Sequence, residues 1–317
     1  MRALIFDGKK LQFKKGYPEP VLKDDEVLIR VCKAGICNTD VEIKKGYMGY
    51  TGVLGHEFMG VVEESLNKEI VGKRVVSEIN CPCGICDYCL SGLSNHCTNR
   101  SVIGIFKKDG AFADYITVPE KNLHLLPDEI SDEDAVFVEL IAACFNVSER
   151  VHIKPGDRVV ILGDGKLGTL VARVIRLLCC DLTLVGLDLL KLERASSLGI
   201  KSKLVKDFNE KASIIIECTG TPEGLMTAKN SVKPTGKIIQ KSTFASSVNM
   251  NISSYVVDEI ELIGSRCGPF SPAIRALQSK LVKVDDLVDS VYPFDDAIKG
   301  FERAESKDSM KVILDMT

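Results

Sequence analysis

The stretch Arg158-Val159-Val160-Ile161-Leu162-Gly163-Asp164-Gly165-Lys166-Leu167-Gly168 decides the fold. A short apolar run of the kind buried in a sheet stops at Leu162. Glycine then takes the first, third and sixth of the next six places, and an apolar helical pattern opens at Lys166. Glycines at those places allow a tight turn, a close approach of backbone to a pyrophosphate, and close packing of helix on strand. The helix N-terminus behind them favours negative charge. In isolation a G-x-G-x-x-G is a weak signal, but the strand before it and the helix after it are the context the motif requires. Gly163, Gly165, Lys166, Leu167 and Gly168 are therefore the expected cofactor-binding turn.

Downstream, strand-like runs recur at 182–185, Ala212–Glu217 and 236–239, separated by helix-like stretches at 166–178, 190–198 and 222–231. This alternation predicts βαβ units and a doubly wound parallel sheet. An acidic residue about 20 positions beyond the glycine turn receives the ribose hydroxyls of NAD in such sheets. Asp188 fits by count, with no Arg beside it to receive a 2′-phosphate, so NAD is expected slightly ahead of NADP. Lys191 is the residue that would meet a phosphate instead. The tail adds an amphipathic segment at 271–280, a strand at 291–294, a helix at 295–304 and a strand at 310–314.

Upstream, the pattern to about residue 127 is one of short apolar runs such as 26–31, 60–62 and 74–76, punctuated by Gly, Pro and Asp. It predicts a β-rich domain, after which Ser131 is placed to cap a helix opening on Asp132-Glu133-Asp134. Within the β-rich part, Cys83, Cys86, Cys89 and Cys97 form C-x2-C-x2-C-x7-C. That loop is short enough for four thiolates to converge on one tetrahedral zinc ion. An iron-sulfur cluster of the compact ferredoxin kind would need a three-residue last gap and a following Pro; here seven residues and Thr98 stand there. A four-thiolate site is filled by protein, so its zinc is structural, and Cys81 is a substitute ligand two residues upstream.

A second metal site is read from Gly35-Ile36-Cys37-Asn38-Thr39-Asp40 and Gly55-His56-Glu57. A catalytic zinc takes three protein ligands and keeps one position open. Cys37 and His56 supply two, Asp40 is available to hold the other imidazole nitrogen, and Glu139 is the expected third, with Cys144 as its competitor. Glu139 lies at the junction in sequence between the β-rich and α/β parts. Taken singly, Cys37 reads as a small buried residue and His56 as a structural histidine; the glycine turns before them change the reading.

Composition limits the alternatives. A formal charge of −3 with no long basic run gives no footprint for nucleic acid. No apolar stretch approaches the length of a membrane span, the best being interrupted by Arg173 and Arg176, and the start lacks the h-region of a signal peptide. Twelve cysteines under those conditions point to metal or redox chemistry in the cytoplasm rather than to disulfides.

These motifs, in this order, resemble the zinc-dependent medium-chain dehydrogenase/reductase superfamily over nearly the whole chain. The resemblance implies a GroES-like catalytic domain from residues 1–140 and 264–317, with a structural zinc lobe at about 81–97, and a Rossmann domain at 141–263. It implies Cys37, His56 and Glu139 as catalytic zinc ligands, Glu57 beside the metal, Thr219 near the nicotinamide, and a homodimer or homotetramer. Two departures stand out. Leu140 follows Glu139 where sorbitol-dehydrogenase-like members usually have Pro, and Glu42 stands where typical alcohol dehydrogenases place a relay histidine.

The expected chemistry is hydride transfer between an alcohol, polyol or sugar-like substrate and NAD or NADP. Two zinc ions are expected per chain. The catalytic one would act as a Lewis acid while Thr39 accepts the hydroxyl proton. The rival readings are a zinc-stabilised nucleotide-binding sensor without turnover, a zinc-free NADPH reductase, and an iron-sulfur redox protein.

Overall fold

The computed structural model describes residues 1–244 and 247–317, and the chain separates into two compact units. One comprises Met1–Glu139, Ile274–Lys280 and Val284–Thr317; the other comprises Leu140–Ala273 and Leu281–Lys283.

The first unit is built on a long central strand, Glu26–Ile36. Val27, Ile29 and Val31 alternate with the less buried Leu28 and Arg30, the period-2 pattern of a strand with one face in a core. Glu57–Glu64, Tyr115–Pro119 and Lys311–Asp315 all pair with it antiparallel. Two registers build the surroundings of Cys37. Gly35 lies opposite Glu57, and Ile36 lies opposite Val312, so residues far apart in sequence meet where the central strand ends. Phe112, Phe137, Phe294 and Phe301 are fully buried side chains of this unit.

The second unit holds a six-stranded sheet in which every pairing is parallel. Its order is Lys201–Leu204, Asp181–Gly186, Arg158–Leu162, Ala212–Glu217, Val232–Gln240 and Glu261–Gly264. In chain order this reads 3-2-1-4-5-6, the doubly wound arrangement, with its reversal between Arg158–Leu162 and Ala212–Glu217. The four inner strands carry buried apolar runs, as strands covered on both faces do. Val160, Leu162, Val185, Ile215 and Ile238 pack together in the core with Leu225 and Ala228 of the helix Pro222–Ser231.

The two outermost strands were not expected from the sequence. Lys201–Leu204 and Glu261–Gly264 are short, and no residue of either is buried, so neither shows the apolar run that marks the other four. The first helix ends earlier than the 166–178 pattern predicts. It is α-helical over Lys166–Ile175, tightens to a 3-10 turn at Arg176–Leu178, and stops at Cys179 in the left-handed conformation. Arg173 lies on that helix as a fully buried side chain, donating to the Lys283 carbonyl. Among the described residues no helix is long and apolar enough to cross a membrane.

Candidate metal centres and dinucleotide site

Cys37 ends the central strand's run and caps the helix Asn38–Lys44. Its sulfur accepts from Thr39 N at 3.5 Å, while Asp40 reaches back to accept from Cys37 N at 2.9 Å. This reciprocal box satisfies two of the helix's unpaired donors and fixes the thiol at the helix entrance. Asp40 is fully buried; its other oxygen accepts from Gly55 N at 3.2 Å and lies 3.3 Å from His56 Nδ1. Gly55 has φ +93° and sits against the Phe112 ring, so any side chain there would be strained and would collide. The sequence thus places His56 through a turn that only glycine can make.

The ligand atoms of Cys37, His56 and Glu57 lie within 4.8 Å of one another. His56 and Glu57 are buried, and His56 Nδ1 and Glu57 Oε1 have no aligned hydrogen-bond partner. His56 Nδ1 faces the Asp40 carboxylate at 3.3 Å, which leaves Glu57 Oε1 as the buried acceptor whose cost a metal ion would offset. A thiol, an imidazole and a carboxylate are also a donor set suited to zinc. In the metal-free site, burial opposes charge on His56, but Asp40 and Cys37 outweigh it and hold the imidazole well above its ordinary 6.5. Metal entry must displace that proton.

The sequence reading missed Lys311. Its ammonium pairs with Glu57 Oε2, and both side chains are fully buried. Burial pulls the Lys311 pKa down, while Glu57, Cys37 and then Glu139 pull it up, and the net direction is upward. Nothing in the local sequence Met310-Lys311-Val312 marks this role; only the strand register brings Lys311 beside Cys37.

Glu139, on the first turn of the helix Val138–Arg150, is half-buried and close enough to act electrostatically on Lys311. It is not one of the three residues whose ligand atoms converge; Glu57 is. Cys144 is fully buried and acts on Cys218. Thr39 Oγ1 lies 3.6 Å from Cys37 Sγ. Glu42 pairs with Lys45, the residue that ends the same helix, at 2.9 Å.

The four cysteines of the lobe also converge. Cys83, Cys86, Cys89 and Cys97 have ligand atoms within 4.8 Å, with Sγ separations of 3.5 to 3.7 Å along the contacts 97–83, 86–89 and 86–97. Backbone donation from Cys89 draws the Cys86 thiol down to about 6. Desolvation and the neighbouring Cys86 sulfur push Cys89 up to about 11. Thiols this close cannot all ionise without a cation among them, which is the condition for a zinc site. Cys81 stands apart in the strand Asn80–Cys81, its sulfur 3.8 Å from Asn122 Nδ2.

In the parallel-sheet unit, Gly165 caps the helix Lys166–Ile175 with no side chain, leaving its N-terminus open to an anion. Gly168 packs directly on the Gly163 carbonyl, where a Cβ would have no room. Asp164, unremarked in the sequence, accepts from Leu187 N at 2.6 Å and Asp188 N at 2.7 Å, tying the glycine loop to the tip of the next strand. Asp188 caps the helix Leu189–Ser196 through Oδ1, which accepts from Leu190 N at 2.9 Å and Lys191 N at 3.4 Å. Thr219 donates from N at 2.6 Å and from its hydroxyl to the buried Glu217 carboxylate.

Residues 23–128 match the family model of the alcohol dehydrogenase GroES-like domain. The chain is 30% identical to a sorbitol dehydrogenase of Halalkalibacterium halodurans, covering 99% of each chain. It is 31% identical to a D-arabitol-phosphate dehydrogenase of Enterococcus avium, covering 93% of this chain and 91% of that one. Among solved structures, a short chain alcohol dehydrogenase of Escherichia coli CFT073, complexed with NADH, superposes with a TM-score of 0.91 at 25% identity, covering 100% and 99%. A sheet in 3-2-1-4-5-6 order, a four-thiol lobe and a buried Cys–His–Glu cluster agree with those full-length likenesses: the chain belongs to the zinc-dependent medium-chain dehydrogenase/reductase superfamily.

Proposed function

We propose that the protein is a zinc-dependent dehydrogenase that moves a hydride between an alcohol or polyol and NAD or NADP. The observation that carries this reading is the buried cluster of Cys37, His56 and Glu57, whose ligand atoms lie within 4.8 Å of one another. A sensor or a zinc-free reductase has no need of such a cluster. The names of the relatives, sorbitol dehydrogenase and D-arabitol-phosphate dehydrogenase, support polyols, free or phosphorylated, as the substrate class.

Cys37 and His56 would hold the catalytic zinc, with Glu57 or Glu139 completing it, and Cys83, Cys86, Cys89 and Cys97 would hold the structural one. Zinc supplies Lewis-acid polarisation of the substrate oxygen when bound. Asp40 orients the imidazole and the helix cap orients the thiol. Lys311 neutralises Glu57, so that the carboxylate is kept in a buried place without net charge. Thr39, beside Cys37, is the group that accepts the hydroxyl proton of the substrate as hydride leaves its carbon. Gly163, Gly165, Lys166, Leu167 and Gly168 cradle the cofactor's pyrophosphate, and Asp188 meets the adenosine ribose, favouring NAD.

The β-rich unit would carry the metal and substrate chemistry, and the parallel-sheet unit the cofactor. A homodimer or homotetramer fits the exposed edge strand Glu261–Gly264, which pairs on one side only among the described residues and exposes Leu262. Twelve cysteines, none in a disulfide among the described residues, fit a reducing compartment such as the cytoplasm.

The test is zinc per chain in wild type and Cys37→Ser, with NAD+ and NADP+ reduction over a panel including sorbitol and D-arabitol phosphate. Two zincs falling to one, with turnover reduced by about a thousandfold or more, is the expected result. One zinc in both proteins and no turnover would return the sensor and the zinc-free reductase.

A further inference from the structure

The order of the parallel sheet divides it into two mononucleotide halves. The glycine loop and Asp188 belong to the half made by Arg158–Leu162, Asp181–Gly186 and Lys201–Leu204. The nicotinamide half therefore falls to the carboxyl ends of Ala212–Glu217, Val232–Gln240 and Glu261–Gly264, since ligands of such sheets lie outside those ends. At that edge Glu217 and Gln240 are paired in register, and Gln240 Nε2 donates to Glu217 Oε2 at 2.9 Å. The ladder runs one residue further, Lys241 N donating to the Glu217 carbonyl at 3.0 Å. By the two-residue period, Lys241 projects to the opposite face from Gln240, the face of Cys218, whose thiol is pushed up by burial and then by Glu217 while the Lys241 charge acts in the opposite sense.

Lys241 is 9% exposed. Its ammonium donates to the carbonyls of Ser265 at 3.3 Å and Arg266 at 2.8 Å, just past the end of Glu261–Gly264. Ser265 is itself pinned, its hydroxyl accepting from Asn146 Nδ2 at 3.0 Å. Carbonyl dipoles solvate a cation without cancelling it, so a full positive charge remains fixed in poorly hydrated surroundings, where its field is weakly damped. Glu217 does not pair with it. That carboxylate is met by donors from Thr219, Gln240 and Ser242.

We propose that Lys241 is a specificity residue for the redox state of the cofactor, raising the affinity of the site for NADH relative to NAD+. The inference rests on the dinucleotide reading of this sheet. The ring of NAD+ carries one positive charge; accepting a hydride, two electrons and one proton from the substrate carbon, makes it the neutral ring of NADH. A fixed cation at the strand tips repels the first form and is indifferent to the second.

The experiment is calorimetric titration of the full-length chain with NADH, NAD+ and ADP-ribose, which lacks the nicotinamide, at constant ionic strength. K241Q removes the charge and keeps a donor for the carbonyls, K241M is a second neutral variant, and K241R retains the charge. The neutral variants are expected to lower the ratio of the NAD+ and NADH dissociation constants by about tenfold, leaving ADP-ribose within about twofold of wild type. K241R is expected to keep the wild-type ratio. An unchanged ratio in either neutral variant that still binds ADP-ribose overturns the proposal, as does a K241R shift equal to that of K241Q. Failure of wild type to bind any of the three ligands would instead overturn the dinucleotide reading, and this proposal with it.

Discussion

The two thiol-containing clusters of the β-rich unit solve the same coordination problem in opposite ways. The lobe draws Cys83, Cys86, Cys89 and Cys97 from one loop, and all of them but Cys97 are partly exposed. The other cluster draws Cys37, His56 and Glu57 from a helix cap, a glycine turn and a strand, and adds Lys311 from a strand far along the chain. The lobe has no core and would be held together by its metal. The second cluster is positioned by strand pairing within the sheet. On the proposed reading, metal would be structure in the first and chemistry in the second.

If that contrast holds, the sharpest break comes from one cysteine in each. Cys97→Ser should cost the lobe its fold, since structural zinc contributes on the order of 10 kcal/mol to small domains that depend on it. Limited proteolysis should cut within residues 81–97 in this variant and leave Cys37→Ser intact there. Equal protease resistance in the two variants would erase the distinction. Next in size is Lys311→Met, which strands the Glu57 charge in a fully buried place and should destabilise the β-rich unit by about 3–5 kcal/mol in urea unfolding. The double variant Glu57→Gln, Lys311→Met should recover most of that loss; no recovery would mean that the pair is not the reason.

The smallest effect concerns pH. His56 in the metal-free site has its pKa raised, so the metal-free form binds a proton that zinc must expel. Affinity of the Cys37 site for cobalt, followed by its absorption in a protein already loaded with zinc in the lobe, should therefore fall as pH is lowered. The fall should be about tenfold per pH unit for each proton released. A flat profile from pH 8 to pH 6, the range about the ordinary histidine pKa, would remove the imidazole from the site's titration.

Legibility in the sequence divides along the same line. The convergence of the four lobe cysteines was legible because they lie within one loop, where spacing alone constrains geometry. So was the glycine turn, whose neighbours in sequence are its neighbours in space. Cys37 and His56 were legible through the glycines that must precede them. Lys311 was not, because a lysine inside an apolar strand carries no mark of what the register sets beside it. Asp164 and Lys241 were hidden similarly: the first meets backbone donors of Leu187 and Asp188, the second carbonyls of Ser265 and Arg266. The edge strands Lys201–Leu204 and Glu261–Gly264 were missed for a different reason. A strand with a neighbour on one side needs no apolar run.

Glu57 and Lys311 are 254 residues apart, a separation with a meaning for biosynthesis. At roughly 5–20 residues per second a ribosome takes about 13–50 seconds to make the intervening chain. For that interval Cys37, His56 and Glu57 have left the tunnel while the countercharge for Glu57 does not yet exist. In that state the Glu57 carboxylate has no lysine to meet, so the β-rich unit can bury it at the end of the central strand only once the last strand, Lys311–Asp315, has been made and paired.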